Sequence, residues 1–298
     1  VFGSAAILRE AADAIGVELR LLECAEMPAR DCHVDETPVL DWGLAAPAWQ
    51  PGTLDAKANR CAVEWLKKAI DCAQAGAIDG IVTCPLNKAG IHAAGYPYVG
   101  HTEILADLTQ TSTYRMSLFA GPLRVVHISS HCAMSEAVQM VKKDRVAESI
   151  RIGHAALTRL GLNRRRIAVA GLNPHAGEAG VLGTEEEMEI TPAIELCLGE
   201  GIDCTGPYPP DTVFKRMAEG EFDLVVAMYH DQGHIPIKLI AMDYGVNVTL
   251  GLPIVRTSVD HGTAYDIAGT GKAREDSLRA AIRLAAAFAA TRESRNVC

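Results

Sequence analysis

Apolar runs of four to six residues alternate along this chain with segments whose apolar positions recur every three or four residues. Strand-like runs are predicted at 18–22, 79–83, 114–120, 123–128, 167–171, 224–228 and 246–250. Helical stripes are predicted at 5–15, 53–75, 135–160, 191–198 and 275–291, with a further helix opening at Gly100-His101-Thr102-Glu103. Thr53 is the expected N-cap of the second helix, which would bury Ala58, Ala62, Trp65, Leu66 and Ala69 on one face. Gly121-Pro122 between two strand runs reads as a hairpin turn. A Pro-rich stretch at 27–52 reads as irregular. This alternation predicts an α/β fold, with mainly parallel sheets flanked by helices and a hairpin or two.

Three of the strand-like runs end just before a histidine: His131, His175 and His230. Open α/β sheets bind ligands outside the carboxyl ends of their strands. A single histidine there is ordinarily a polar loop residue, but three in one context suit a divalent metal with positions left open for substrate. His127 lies within its strand and is read as structural. His234 follows His230 by four, yet Gly233 and Pro236 disfavour a regular helix, so it is read as a neighbouring or surface residue. Cys132 beside His131 is read as a packing residue, since adjacent residues of an extended chain point apart.

No standard phosphate loop is present. Asp266-Ile267-Ala268-Gly269-Thr270-Gly271-Lys272-Ala273 lacks the first glycine and the final Ser/Thr of a Walker A motif, and no Gly-x-Gly-x-x-Gly follows a strand. The better anion site is the helix start at His101 and Thr102, with Lys238, Asn247 and Arg256 near strand ends to complete it.

Composition narrows the classes. The 298 residues, 49% of them hydrophobic, suit two domains or one large α/β domain with a sizeable core. A net charge of -9 argues against nucleic acid or an anionic membrane as the partner. Nine cysteines without a Cys-x-x-Cys pair suggest reduced thiols and a cytoplasmic setting. No run approaches membrane-spanning length. Val1-Phe2-Gly3-Ser4 reads as the tail of a strand entering a helix, so an upstream strand–helix unit is expected before it.

Several ordered stretches together resemble the 4-hydroxythreonine-4-phosphate dehydrogenase (PdxA) family. They are Pro85-Leu86-Asn87-Lys88, Gly100-His101-Thr102-Glu103, Leu172-Asn173-Pro174-His175-Ala176-Gly177-Glu178 and Met228-Tyr229-His230-Asp231-Gln232-Gly233. Gly245-Val246-Asn247-Val248-Thr249-Leu250-Gly251-Leu252-Pro253 and Arg256-Thr257-Ser258-Val259-Asp260-His261-Gly262-Thr263-Ala264 complete the set. The block from His261 to Gly269 is also similar to the nucleotide loop of isocitrate and isopropylmalate dehydrogenases. The family's opening strand and its Gly-Asp-Pro-x-Gly-Ile-Gly-Pro-Glu loop are not in the sequence.

The resemblance implies an isocitrate/isopropylmalate dehydrogenase-like fold. Residues 1–93 and 262–298 would form an outer, nucleotide-side domain, and 94–261 a central metal, substrate and dimerisation domain. It implies His131, His175 and His230 as ligands of Zn, Co, Mg or Mn, and His101, Thr102, Lys238, Asn247 and Arg256 on the substrate. NAD or NADP would lie on His261, Gly262, Thr263 and Asp266. It further implies a homodimer with sites at the subunit interface, so that the three ligands need not come from one chain. The expected activity is NAD- and metal-dependent oxidation, with decarboxylation, of a 4-phosphorylated four-carbon 3-hydroxy acid of the 4-hydroxythreonine 4-phosphate type, with D-threonate or D-erythronate 4-phosphate as the alternative. Lys238, with a depressed pKa, or Asp231 would be the base. Pro209-Pro210-Asp211-Thr212-Val213-Phe214 and the stretch from Asp231 to Lys238 look closer to the branch acting on D-threonate or D-erythronate 4-phosphate. A metallohydrolase needing no nucleotide, and a non-catalytic phosphosugar-binding protein, are the alternatives.

Overall fold

In the computed structural model, which describes residues 1–28, 35–42 and 50–293, these segments sort into two units. The units are Val1–Thr111 with His261–Glu275, and Ser112–Asp260 with Asp276–Cys298. In the first, α1 (Ala5–Ala14) precedes the parallel strands β1 (Leu21–Cys24) and β2 (Thr37–Leu40). Then follow α2 (Ala56–Gln74), β3 (Gly80–Thr83), α3 (Lys88–Ala93) and α4 (His101–Leu108). β2 falls inside the stretch expected to be irregular; of that stretch, 29–34 and 43–49 lie outside the described residues.

The expected cap of α2 is corrected. Asp55 accepts the Ala58 N–H at 2.6 Å, while the Thr53 hydroxyl donates back to the Gln50 carbonyl at 2.6 Å and stays in the preceding turn. The buried face carries Asn59, Val63, Leu66, Ala69, Ile70 and Ala73, so Leu66 and Ala69 are buried as expected while Ala58, Ala62 and Trp65 are half-buried beside them.

The second unit contains β4 (Arg115–Ala120), β5 (Leu123–His127), α5 (Met134–Gln139), α6 (Lys143–Arg159) and β6 (Ile167–Ala170). A 3-10 turn (Pro174–Gly177) and a π-helical segment (Glu186–Ile190) lead into α7 (Thr191–Gly199). β7 (Cys204–Tyr208), α8 (Val213–Ala218), β8 (Leu224–Ala227), α9 (His230–Ala241), β9 (Val246–Leu250), β10 (Val255–Val259) and α10 (Asp276–Glu293) complete it.

Its strands lie in the order β10-β9-β4-β5-β8-β6-β7. From β5 to β7 neighbours are parallel, and from β5 to β10 antiparallel. The fold is thus α/β, with an antiparallel portion larger than one hairpin because β9 and β10 also reverse through a short turn. β6 and β8 are buried along their whole length, as parallel strands covered on both faces are. One face packs Leu118, Val125, Ala168 and Val225 against Phe214 and Met217 of α8 and Ile237 of α9.

The unit boundaries differ from those expected. α10 packs on β10 and β9, with the Thr257 hydroxyl donating to the Ala281 carbonyl at 2.9 Å, so only 261–275 of the closing segment joins the first unit. Residues 94–111 also belong to the first unit, because α4 packs on α2. Among the described residues no helix is long and apolar enough to cross a membrane.

Candidate active site

β5 and β8 are parallel neighbours with His127 opposite Ala227, so the chain leaves both strands at one place on the sheet edge. The Ser129 hydroxyl donates to the Met228 carbonyl at 3.1 Å and ties the two exits together. His131 and His230 thereby come to face each other, ring centroids 5.4 Å apart, at a cleft of about 500 Å³ that Tyr229 and Asp231 also line. His230 Nδ1–H donates to Asp231 Oδ1 at 2.7 Å, which leaves Nε2 as the acceptor nitrogen. Cys132 also lines this cleft, its Sγ 4.0 Å from Met140 Sδ.

His230 is the first residue of α9, and here the expectation from Gly233 and Pro236 is corrected: both lie inside a twelve-residue helix. Tertiary packing overrides the propensity. A Cβ at position 233 would lie 2.5 Å from His127 Nε2 and 2.6 Å from Val125 Cγ1, so glycine is what lets α9 approach the sheet.

That approach buries His234, ruling out a surface role. Its ring stacks on His230 at 3.8 Å, and its Nδ1 lies 3.1 Å from His127 Nε2. His127 Nδ1–H donates to the Met116 carbonyl at 3.2 Å, so His127 Nε2 accepts from His234. Burial pushes the His127 imidazole down to about 4 and that of His234 to about 2.

His175 is placed by different means. It follows β6 in a loop whose residues His175, Ala176, Gly177, Glu178, Ala179 and Gly180 all have positive φ, from 45° to 86°. Its ring is exposed. Among the described residues, no group of three His, Cys, Asp or Glu side chains is arranged to hold a metal ion. One chain therefore brings together His131 and His230 and leaves His175 outside that pair. In donor chemistry the residues suit a divalent ion, since a ligating imidazole characteristically donates its other nitrogen to a carboxylate, as His230 does.

Lys238, Asn247 and Arg256 lie on the face of the second-unit sheet that α9 covers. Asn247 is opposite Ser258, which sets Thr249 beside Arg256. Arg256 is only 4% exposed, and its Nη1 donates to Asn247 Oδ1 at 3.2 Å and Thr249 Oγ1 at 3.0 Å. Lys238 is not desolvated as expected of a base: its side chain is 42% exposed and its Nζ lies 3.2 Å from Asp260 Oδ2.

The remaining predicted positions belong to the first unit. His101 and Thr102 open α4 behind Gly100, with Glu103 in the first turn. His261 Nδ1–H donates to the Gly262 carbonyl at 2.9 Å, and Thr263 and Asp266 follow in a loop where Ala264 has a positive φ.

Two side chains at this edge went unread in the sequence. Gln232 accepts the Met228 N–H at 2.7 Å and donates to the Gly171 carbonyl at 2.8 Å, joining the ends of β8 and β6. Glu186, 3% exposed, lies in what reads as a charge run. The available signal was its spacing: Glu186, Ile190, Ala193, Ile194 and Cys197 recur at helical intervals, which puts a carboxylate on a buried stripe.

A mixed α/β fold whose strand ends gather imidazoles, a carboxylate and a buried arginine is the architecture of an α/β enzyme with its site at the carboxyl edge. The model of the family described as "Pyridoxal phosphate biosynthetic protein PdxA" matches residues 1–285, and the chain belongs to that family. It is 48% identical over 248 residues to D-threonate 4-phosphate dehydrogenase of Pectobacterium atrosepticum, covering 83% of this chain and 76% of that protein. It is 53% identical over 223 residues to 4-hydroxythreonine-4-phosphate dehydrogenase of Desulfosudis oleivorans, covering 74% and 66%. The crystal structure of 4-hydroxythreonine-4-phosphate dehydrogenase from Klebsiella pneumoniae superposes with a TM-score of 0.88 at 43% identity, covering 97% and 89%.

Proposed function

We propose that this chain is a dehydrogenase that oxidises, and then decarboxylates, a 4-phosphorylated four-carbon 3-hydroxy acid with NAD or NADP and a divalent metal. The observation that carries the reading is the His131–His230 pair at the cleft, with His230 held by Asp231, in a chain whose relatives are named for such substrates. A bound divalent ion would polarise the oxygens at the reacting carbons and stabilise the negative charge left by loss of CO₂, and the nicotinamide would accept the hydride.

The chain's own residues would do the rest. His131, His175 and His230 would each present an imidazole nitrogen to the ion. Asp231 fixes which nitrogen of His230 is free. The Arg256 guanidinium and Asn247 form one polar cluster suited to an oxyanion. Lys238, paired with Asp260, supplies a second positive group, while His101 and Thr102 at a helix start suit the phosphate. His261, Gly262, Thr263 and Asp266 would receive the nucleotide. For the proton at C3, Asp231 and Lys238 remain the candidates.

The functional unit is read as a homodimer. α9 exposes Ile235 and Leu239, with Met242 at its C-cap continuing the same helical spacing, and Leu239 is 85% exposed. A second copy would bury such a stripe, and His175 could then join the other two ligands across subunits.

The name of the Pectobacterium relative favours D-threonate 4-phosphate as the substrate, against the amino substrate 4-hydroxythreonine 4-phosphate. The test is NADH formation with 4-hydroxythreonine, D-threonate and D-erythronate 4-phosphates side by side, with and without a chelator. Reduction of NAD by one of them, lost on chelation and restored by metal, is expected. Turnover without nucleotide would mark a hydrolase, and full activity in chelator would remove the metal from the scheme.

A further inference from the structure

The loop that carries His175 closes on itself through its own backbone, Ala176 N–H donating to the Asn173 carbonyl at 3.1 Å and Leu182 N–H to the Gly177 carbonyl at 3.0 Å, but in an unusual conformation. Four of its residues other than glycine (His175, Ala176, Glu178 and Ala179) sit at φ between 45° and 53°, a region that L side chains rarely adopt. Such a run persists only where the surroundings over-determine it.

Glu186 supplies the determination from outside the loop, in the π-helical segment that leads into α7. Its Oε1 accepts the Leu172 N–H at 2.8 Å and the Asn173 N–H at 2.7 Å. Its Oε2 accepts from Asn173 Nδ2 at 2.9 Å, an amide that also donates to Glu185 Oε2 at 2.8 Å. Both oxygens of one buried carboxylate are thus spent on the two residues that precede Pro174 and His175.

Two glycines make room for it. A Cβ at Gly177 would lie 2.7 Å from Glu186 Oε2, and one at Gly171 would lie 3.2 Å from Oε1. The carboxylate is therefore wedged between the entry and the exit of the His175 turn.

We propose that Glu186 is the positioning residue for His175: it locks the left-handed turn so that the imidazole is presented in one place. The role rests on the reading of His175 as a metal ligand. Glutamine is not equivalent, because its amide NH₂ would face the Asn173 NH₂, donor against donor.

The test compares E186Q, E186A and H175A in the full chain. Co²⁺ affinity is read by visible absorption, amide hydrogen exchange is followed at residues 172–177, and kcat and KM are measured with the active substrate. E186A and E186Q are expected to bind Co²⁺ about 10–100-fold more weakly and to exchange the Leu172 and Asn173 amides faster. They should also lose kcat with KM little changed. If E186A fails to fold, E186Q decides. Weakened Co²⁺ binding in H175A with unchanged affinity and exchange in both Glu186 variants would overturn the proposal. Unchanged Co²⁺ binding in H175A would instead strike the ligand reading, and faster exchange in E186Q would still establish the clamp.

Discussion

The ends of β5 and β8 and the end of β6 each deliver histidine to the same sheet edge, by opposite physical means. At β5 and β8 the placement is regular: parallel strands in register, a helix beginning at His230, and rings stacked inward through His234 to His127. At β6 the placement is irregular: a left-handed turn with an exposed ring, held from behind by one buried carboxylate. The first region is stabilised by packing and resists change. The second stores strain and depends on a few polar contacts, which is the usual condition of a functional loop.

The largest expected effect tests whether the two regions share one task. H175A and H230A should each lower kcat by roughly three orders of magnitude or more, if both imidazoles hold the ion that activates the substrate. Their stabilities should separate. H175A should leave the urea midpoint unchanged, whereas H230A removes a ring stacked on His234 and should cost about 1 kcal/mol. Equal stability losses would erase the distinction.

D231N comes next. It removes the carboxylate that orients His230 and should reduce metal affinity or activity about 10–100-fold, with the fold intact by circular dichroism.

Adding a methyl group to a glycine probes each region through its own weakness. G233A forces a Cβ against His127 and Val125 and should destabilise by about 1–3 kcal/mol, seen in denaturant unfolding, through overpacking of helix on sheet. G177A combines a φ of +82° with a clash on Glu186, and should cost about 1–2 kcal/mol while impairing activity more than G233A does.

The smallest effect vanishes at neutral pH. Burial holds the His127 imidazole down to about 4, below the ~6.5 of an unfolded chain. The unfolded state therefore binds the proton first. The contribution to stability is complete above pH ~6.5 and is lost as pH falls from there through about 4. Substituting His127 by Asn should reduce the fall of unfolding midpoints across that window, with buried His234 supplying the remainder; an unchanged slope would place the acid sensitivity elsewhere.

Legibility in the sequence follows the same divide. Seven strands were readable because periodicity reports burial, whereas β2, β7 and β10, which carry Pro, Gly or polar residues, were not; His131 and His230 were readable because each follows an apolar run. α9 was not, since Gly233 and Pro236 count against a helix locally and only the sheet beneath shows why glycine belongs there. Nor was the burial of Arg256 or His234, because a charged or polar residue near a strand end looks the same in a sequence whether it faces water or a packed helix.

By itself, then, the sequence determined the α/β class, the carboxyl-edge position of the three histidines and the family, since those depend on pattern and on ordered motifs. The tertiary structure alone decided which histidines meet, which stack into the core, and that the distant Glu186 bonds the two residues before the His175 turn. Those relations join residues distant along the chain. They arise from helix-on-sheet approach and from the need of buried donors and acceptors to find one another.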